Sequence, residues 1–121
     1  MRRLVMAFTA LPLLAASALA DSDPGADFQK ADKALNAAFR QVQSRLSDDS
    51  GGKARLVKAQ RAWIAFRDAE CTFQSSGEDG GSAAPLVVAS CKAELTTQRT
   101  KQLKAYLNCQ EGDLACPVPA Q

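Results

Sequence analysis

The chain of 121 residues contains no histidine. Imidazole is the side chain that titrates near neutral pH, so catalytic triads and dyads built on it are excluded, and so are metal sites that use it. Tryptophan and tyrosine occur once each, which leaves little to stack on nucleic-acid bases. There is no glycine-rich phosphate loop between a strand and a helix. No stretch alternates apolar and polar residues as a half-buried strand would. Paired carboxylates remain possible, but no pair stands in an apolar context: Glu70 alone among the acids falls well inside an apolar row, and its neighbour Asp68, two residues away, points to a different side of a helix. These absences predict a non-catalytic chain with no cofactor and no metal.

Long apolar runs are also scarce. The main one, Leu4 to Leu14, is interrupted by Thr9 and Pro12, preceded by Arg2 and Arg3, and followed by the small-x-small sequence Ala18-Leu19-Ala20. That is the pattern of a signal peptide, with cleavage expected before Asp21. The run is too short to span a bilayer and no later segment is longer, so no membrane anchor is predicted. The residue at the cleavage site is Asp21 and not a cysteine, which argues against lipid attachment. A soluble periplasmic or secreted protein is the expectation.

The full chain has 15 basic and 13 acidic residues; loss of Arg2 and Arg3 with the leader leaves 13 of each. The mature chain is formally neutral, so electrostatics makes no strong case for nucleic acid or an anionic membrane. Residues 21–121 suffice for one domain with a small core. Within them, 21–108 is expected to be helical and 109–121 a short polar tail.

All four cysteines, Cys71, Cys91, Cys109 and Cys116, lie in the mature part. Export and small size both favour disulfides. Of the three possible pairings, the one favoured joins Cys71 with Cys91 and Cys109 with Cys116, since each of those bonds closes a local loop. Zinc is the competing use of four cysteines, but no spacing is C-x2-C and histidine is absent.

The first helix is expected to start at Asp23-Pro24, with Asp as N-cap and Pro in the first turn. Phe28, Leu35 and Val42 repeat every seven residues, interleaved with Asp32, Phe39 and Leu46, a seam that packs on another helix. Ser47 to Gly52 breaks the pattern, and a second helix is predicted from about Lys53 to Gln74. So short a connection predicts antiparallel neighbours. Ser75 to Ser82 is too glycine-rich to be helical and is expected to be a tight exposed turn. Glu78 and Asp79 at its tip are candidate partner-binding acids, although solvated loop acids are commonplace. A third helix should begin between Ser82 and Pro85, with Val88, Cys91, Leu95, Leu103 and Tyr106 inward.

The second helix is the most informative. Leu56, Ala59, Trp63, Phe66 and Phe73 recur at helical spacing and form its expected apolar stripe. Trp63, between Ala59 and Phe66, is predicted to anchor the core and not a partner. Four charges fall in or beside the apolar rows: Asp32, Arg67, Glu70 and Arg99. If they meet they make a structural polar layer, since the Arg fork holds two carboxylate oxygens at once. Singly, each has an ordinary reading as a solvated acid or a snorkelling base. The expected architecture is all-α: a disulfide-braced antiparallel three-helix bundle, one helical hairpin plus a third helix.

In order, the chain carries Ala31-Asp32, Leu35-Asn36, Gln60-Arg61-Ala62-Trp63, Phe66-Arg67-Asp68, Cys71, Gly80-Gly81-Ser82, Cys91, Leu95-Thr96, Arg99 and Leu103. The series AD-x-x-LN, QRAW-x-x-FRD-x-x-C, GGS and C-x3-LT-x2-R-x3-L resembles the lysozyme inhibitor LprI N-terminal family. The resemblance covers residues 31–103 and implies a helical bacterial envelope domain with Cys71 bridged to Cys91. It also implies a lysozyme-binding inhibitor; the alternative is a structural or protein-interaction module of the envelope. Cys109 and Cys116 lie beyond the shared pattern, and the additional cysteines that many relatives carry ahead of AD-x-x-LN are absent here.

Overall fold

The computed structural model describes residues 22–120, so the expected leader, residues 1–20, lies outside the described residues. Every regular element among them is helical: α1 spans Pro24–Arg45, α2 Ser50–Gln74 and α3 Ala84–Leu107, with one 3-10 turn at Ser76–Glu78. The all-α bundle expected from the sequence is what the chain forms.

Local chemistry sets each boundary. Asp23 caps α1, its carboxylate accepting from the Gly25 N–H at 2.9 Å, and Pro24 takes a first-turn position where no N–H is needed. Asp49 caps α2 in the same way, accepting from the Gly52 N–H at 2.7 Å. The helix therefore starts at Ser50, and Gly51 and Gly52 fall in its first turn and not in the preceding loop. A Cβ at Gly52 would collide with the Asp49 carboxylate, so glycine is what allows the cap to close. α2 ends at Ser75, which is buried and donates its hydroxyl to the Thr72 carbonyl at 3.0 Å. The following segment, expected to be free of helix, makes one 3-10 turn before Gly80 reverses the chain at φ +76°. α3 begins after Ala83 with no side-chain cap, so Ser82 does not serve as one.

Arg45, at the end of α1, donates to the Leu107 carbonyl at the end of α3, whereas Arg67, in the second half of α2, lies beside Asp32 in the first half of α1. Hence α1 and α3 run parallel and α2 runs against both. Leu35, Ala38, Val42 and Leu46 from α1 meet Leu103 of α3 and Val118 of the tail to form the buried core. Phe39, Leu56, Trp63, Tyr106 and Leu107 pack around it, partly exposed.

The close backbone pair is α1 with α3, and α2 stands further from α1 than the short connection suggests. Side-chain size explains this. Ala38 on α1 and Thr96 and Thr100 on α3 are small and buried, which lets those two backbones approach. α2 turns Trp63 and Arg67 inward, and their bulk holds it off.

α2 is also rotated from the expected stripe. Ala59 is exposed, as are Phe66 and Phe73, at 55% and 73%, while Gly52, Gln60, Arg67 and Cys71 are buried. The Cys71–Cys91 bond supplies the reason. Cys71 must face α3, and residues four and eleven positions before it, Arg67 and Gln60, then face inward as well.

The C-terminal tail belongs to the core. Cys109 is bonded to Cys116, Val118 is 2% exposed, and Arg45 donates to the carbonyls of both Leu107 and Pro119. Burial of a valine side chain stabilises by roughly 1.5–3 kcal/mol, which offsets part of the cost of ordering the tail.

Candidate functional site

Two constellations stand out, one inside the bundle and one at its hairpin end. Inside, Arg67 is 7% exposed and holds three helices together. Its Nε donates to Asp68 Oδ1 at 2.9 Å, its Nη1 donates to Thr96 Oγ1 of α3 at 3.3 Å, and Nη1 lies 3.9 Å from Asp32 Oδ1 of α1. The guanidinium carbon sits 5.1 Å from the Phe28 ring centre and 5.3 Å from that of Trp63. Arg is suited to such a place because its flat cation can stack and donate at once. Trp63 is half-buried between Arg67 and Arg99, whose guanidinium carbon lies 6.0 Å from its ring.

The four charges of the expected layer do not all meet. Asp32 and Arg67 come together across α1 and α2. Arg99 pairs with neutral amides instead, donating from Nε to Gln60 Oε1 at 3.0 Å and from Nη1 to Gln102 Oε1 at 3.1 Å. Glu70 reaches neither arginine and accepts from Gln74 Nε2 at 3.1 Å, on the exposed side of α2. The rotation of α2 set by Cys71 turns Glu70 away, and Gln60 takes the place that an acid would have filled. Phe28, Gln60 and Thr96 are members of the layer that composition alone did not single out. Counting back along α2 from a bridged Cys71 would have found Gln60. No buried side-chain nitrogen or oxygen among the described residues lacks a partner.

At the hairpin end, Glu78 and Asp79 are exposed on the turn that the Cys71–Cys91 bond braces. Phe73, near the end of α2, and Leu86, near the start of α3, are 73% and 55% exposed. From Asp68 to Cys91 the chain carries Asp68, Glu70, Glu78 and Asp79 and no Lys or Arg. Asp68 is neutralised by Arg67 and by Lys92 at 3.5 Å; Glu70, Glu78 and Asp79 have no ion-pair partner among the described residues. At the opposite end Arg45, Lys53, Arg55 and Lys104 lie with Asp48, Asp49, Glu111 and Asp113, so charge balances there. A balanced total charge therefore conceals an acidic hairpin. Among the described residues no group of acids or cysteines is placed to hold a metal, and no helix is long and apolar enough to cross a membrane.

Fold and site together define a small disulfide-braced helical domain with a polar clamp inside and an acidic, partly apolar surface at one end. The family model described as lysozyme inhibitor LprI matches residues 15–103, and the chain belongs to that family. It is 35% identical over 96 residues to an uncharacterized protein of Rhizobium meliloti (strain 1021), a match covering 70% of this chain and 69% of that protein. It is 38% identical over 60 residues to the uncharacterized protein YecT of Escherichia coli (strain K12), covering 46% of this chain and only 37% of YecT. Among solved structures it resembles a DUF1311 family protein from Pseudomonas putida KT2440, with a TM-score of 0.63 and 25% identity over 68% of this chain and 84% of that one.

Proposed function

We propose that this chain is an exported, non-catalytic protein that binds a lysozyme-type muramidase and limits its attack on the cell wall. In this reading residues 1–20 are a cleaved signal peptide, residues 21–108 are the binding domain, and residues 109–121 close the end away from the partner. Family membership over residues 15–103 supports the class of partner. The choice of site is supported by the hairpin end, where Phe73 on α2 and Leu86 on α3 are exposed and the disulfide-braced turn between those helices carries Glu78 and Asp79.

That surface has the parts that recognition of a basic enzyme requires. Exposed apolar side chains provide area to bury, and unpaired acids steer the encounter and favour a cationic partner. The covalent brace orders the turn before contact, so less conformational freedom is lost on binding. Attraction between exposed charges should weaken as salt rises.

The test is clearance of a cell-wall suspension by lysozyme with and without the oxidised mature protein, at low and physiological salt. Slower clearance, most marked at low salt, is the expected result. Joint replacement of Glu78 and Asp79 by Ala, or Phe73→Ala alone, should relieve the inhibition without unfolding the domain. Undiminished clearance at clear molar excess would overturn the reading and leave the chain as a structural or interaction module of the envelope.

A further inference from the structure

A cleft of about 440 Å³ opens in the half of the bundle away from the acidic hairpin, between the end of α1, the start of α2, the end of α3 and the tail. It exists because α2 stands off α1 there and presents Gly52 and Ala59, which have too little side chain to fill the gap. Leu56, Ala59, Tyr106 and Pro117 supply its accessible apolar wall, with Val42, Leu46 and Val118, each at least 97% buried, packed beneath them. The volume falls in the range of about 300–1,000 Å³ typical of small-molecule sites.

The charges lining this cleft have one sign. Arg55 and Arg99 border it and no acid does. Arg99 is held in place by its two amide partners and by the Trp63 ring, none of which cancels its charge. Neither Arg55 nor Arg99 forms an ion pair among the described residues. A fixed, partly buried guanidinium above an apolar wall matches a ligand with a carboxylate head and an apolar tail, since the planar fork takes a carboxylate bidentately.

We propose that this cleft binds an amphiphilic monocarboxylate of the fatty-acid class, its chain against Leu56, Tyr106 and Pro117 and its carboxylate at Arg99, with Arg55 at the mouth. The site lies away from the acidic hairpin and does not depend on the lysozyme reading; either can fail while the other stands.

The experiment is calorimetric titration of the oxidised mature protein with decanoate, decanol and decyltrimethylammonium, three probes of one chain length and different head charge. Decanoate should bind saturably, decanol about tenfold or more weakly, as expected for loss of a charge-assisted hydrogen bond, and the cation not measurably. Ala59→Phe should fill the cleft and abolish decanoate binding, and Arg55→Glu should weaken it; both positions are exposed. Head-group selectivity in the unaltered protein tests the proposal without any variant. Absence of saturable decanoate binding would overturn it, as would equal affinity for decanoate and decanol, or binding unmoved by Ala59→Phe in a folded variant.

Discussion

Replacement of Arg67 by Met keeps a long apolar stem and removes the guanidinium, which isolates what the cation contributes. Thr96, 0% exposed, would lose the partner it has at 3.3 Å, and an orphaned buried hydroxyl costs about 1–3 kcal/mol. The Phe28 and Trp63 rings would each lose a cation contact of roughly 0.5–1 kcal/mol. The pair with Asp32 adds little, because it spans 3.9 Å and the Asp32 side chain is 44% exposed; such pairs contribute about 0–1 kcal/mol. The expected loss is therefore about 3 kcal/mol, a large share of the 5–15 kcal/mol usual for a domain. Urea unfolding followed by Trp63 fluorescence and by far-ultraviolet circular dichroism would measure it, with an unchanged m-value as the check that the unfolded state is the same. Asp32→Asn should cost less than about 1 kcal/mol, and Thr96→Val combined with Arg67→Met should cost less than the sum of the two, since no hydroxyl is then left orphaned. A loss under about 1 kcal/mol for Arg67→Met, or an equal loss for Asp32→Asn, would refute the buried clamp and make the guanidinium a solvated head.

Trp63→Ala should destabilise by about 2–3 kcal/mol, below the range for a fully buried Trp because the ring is half-buried, as read by thermal or urea unfolding; native emission at the wavelength of free indole in water would contradict the placement. Val118→Ala should cost about 1–2 kcal/mol in the same assay although it lies past the last helix, and no loss would show that the tail is undocked. Loss of the Cys71–Cys91 bond, which closes 20 residues, should cost about 3 kcal/mol, and loss of Cys109–Cys116, which closes 7, about 2 kcal/mol on the chain-entropy model. Mass mapping without reduction checks both connectivities. Loss of the Glu78 and Asp79 acids together should flatten the salt dependence of any lysozyme inhibition more than Phe73→Ala does, because only the former removes screened charge.

Much of this architecture could be read from residues near one another in the chain. Asp23-Pro24 marks the start of α1 because a carboxylate cap and a missing N–H are both local requirements. The seven-residue repeat of Leu35 and Val42, joined by Leu46, marks the buried side of α1 because that helix has one dominant apolar row. The ordered series from Ala31 to Leu103 pointed to the family, since its spacing survives without knowledge of packing.

Tertiary structure decided the matters that depend on a neighbour. α2 is rich in Ala and apolar on more than one side, so its periodicity permits two stripes rotated from each other; the bond to Cys91 on α3 selects the one containing Gln60, Arg67 and Cys71 and leaves Phe66 and Phe73 exposed. The same choice separates Glu70 from the arginines and joins Arg99 to Gln60. Val118 gives no periodic signal in a polar tail, and it is buried only because the Cys109–Cys116 loop and Arg45 return it to the end of the core.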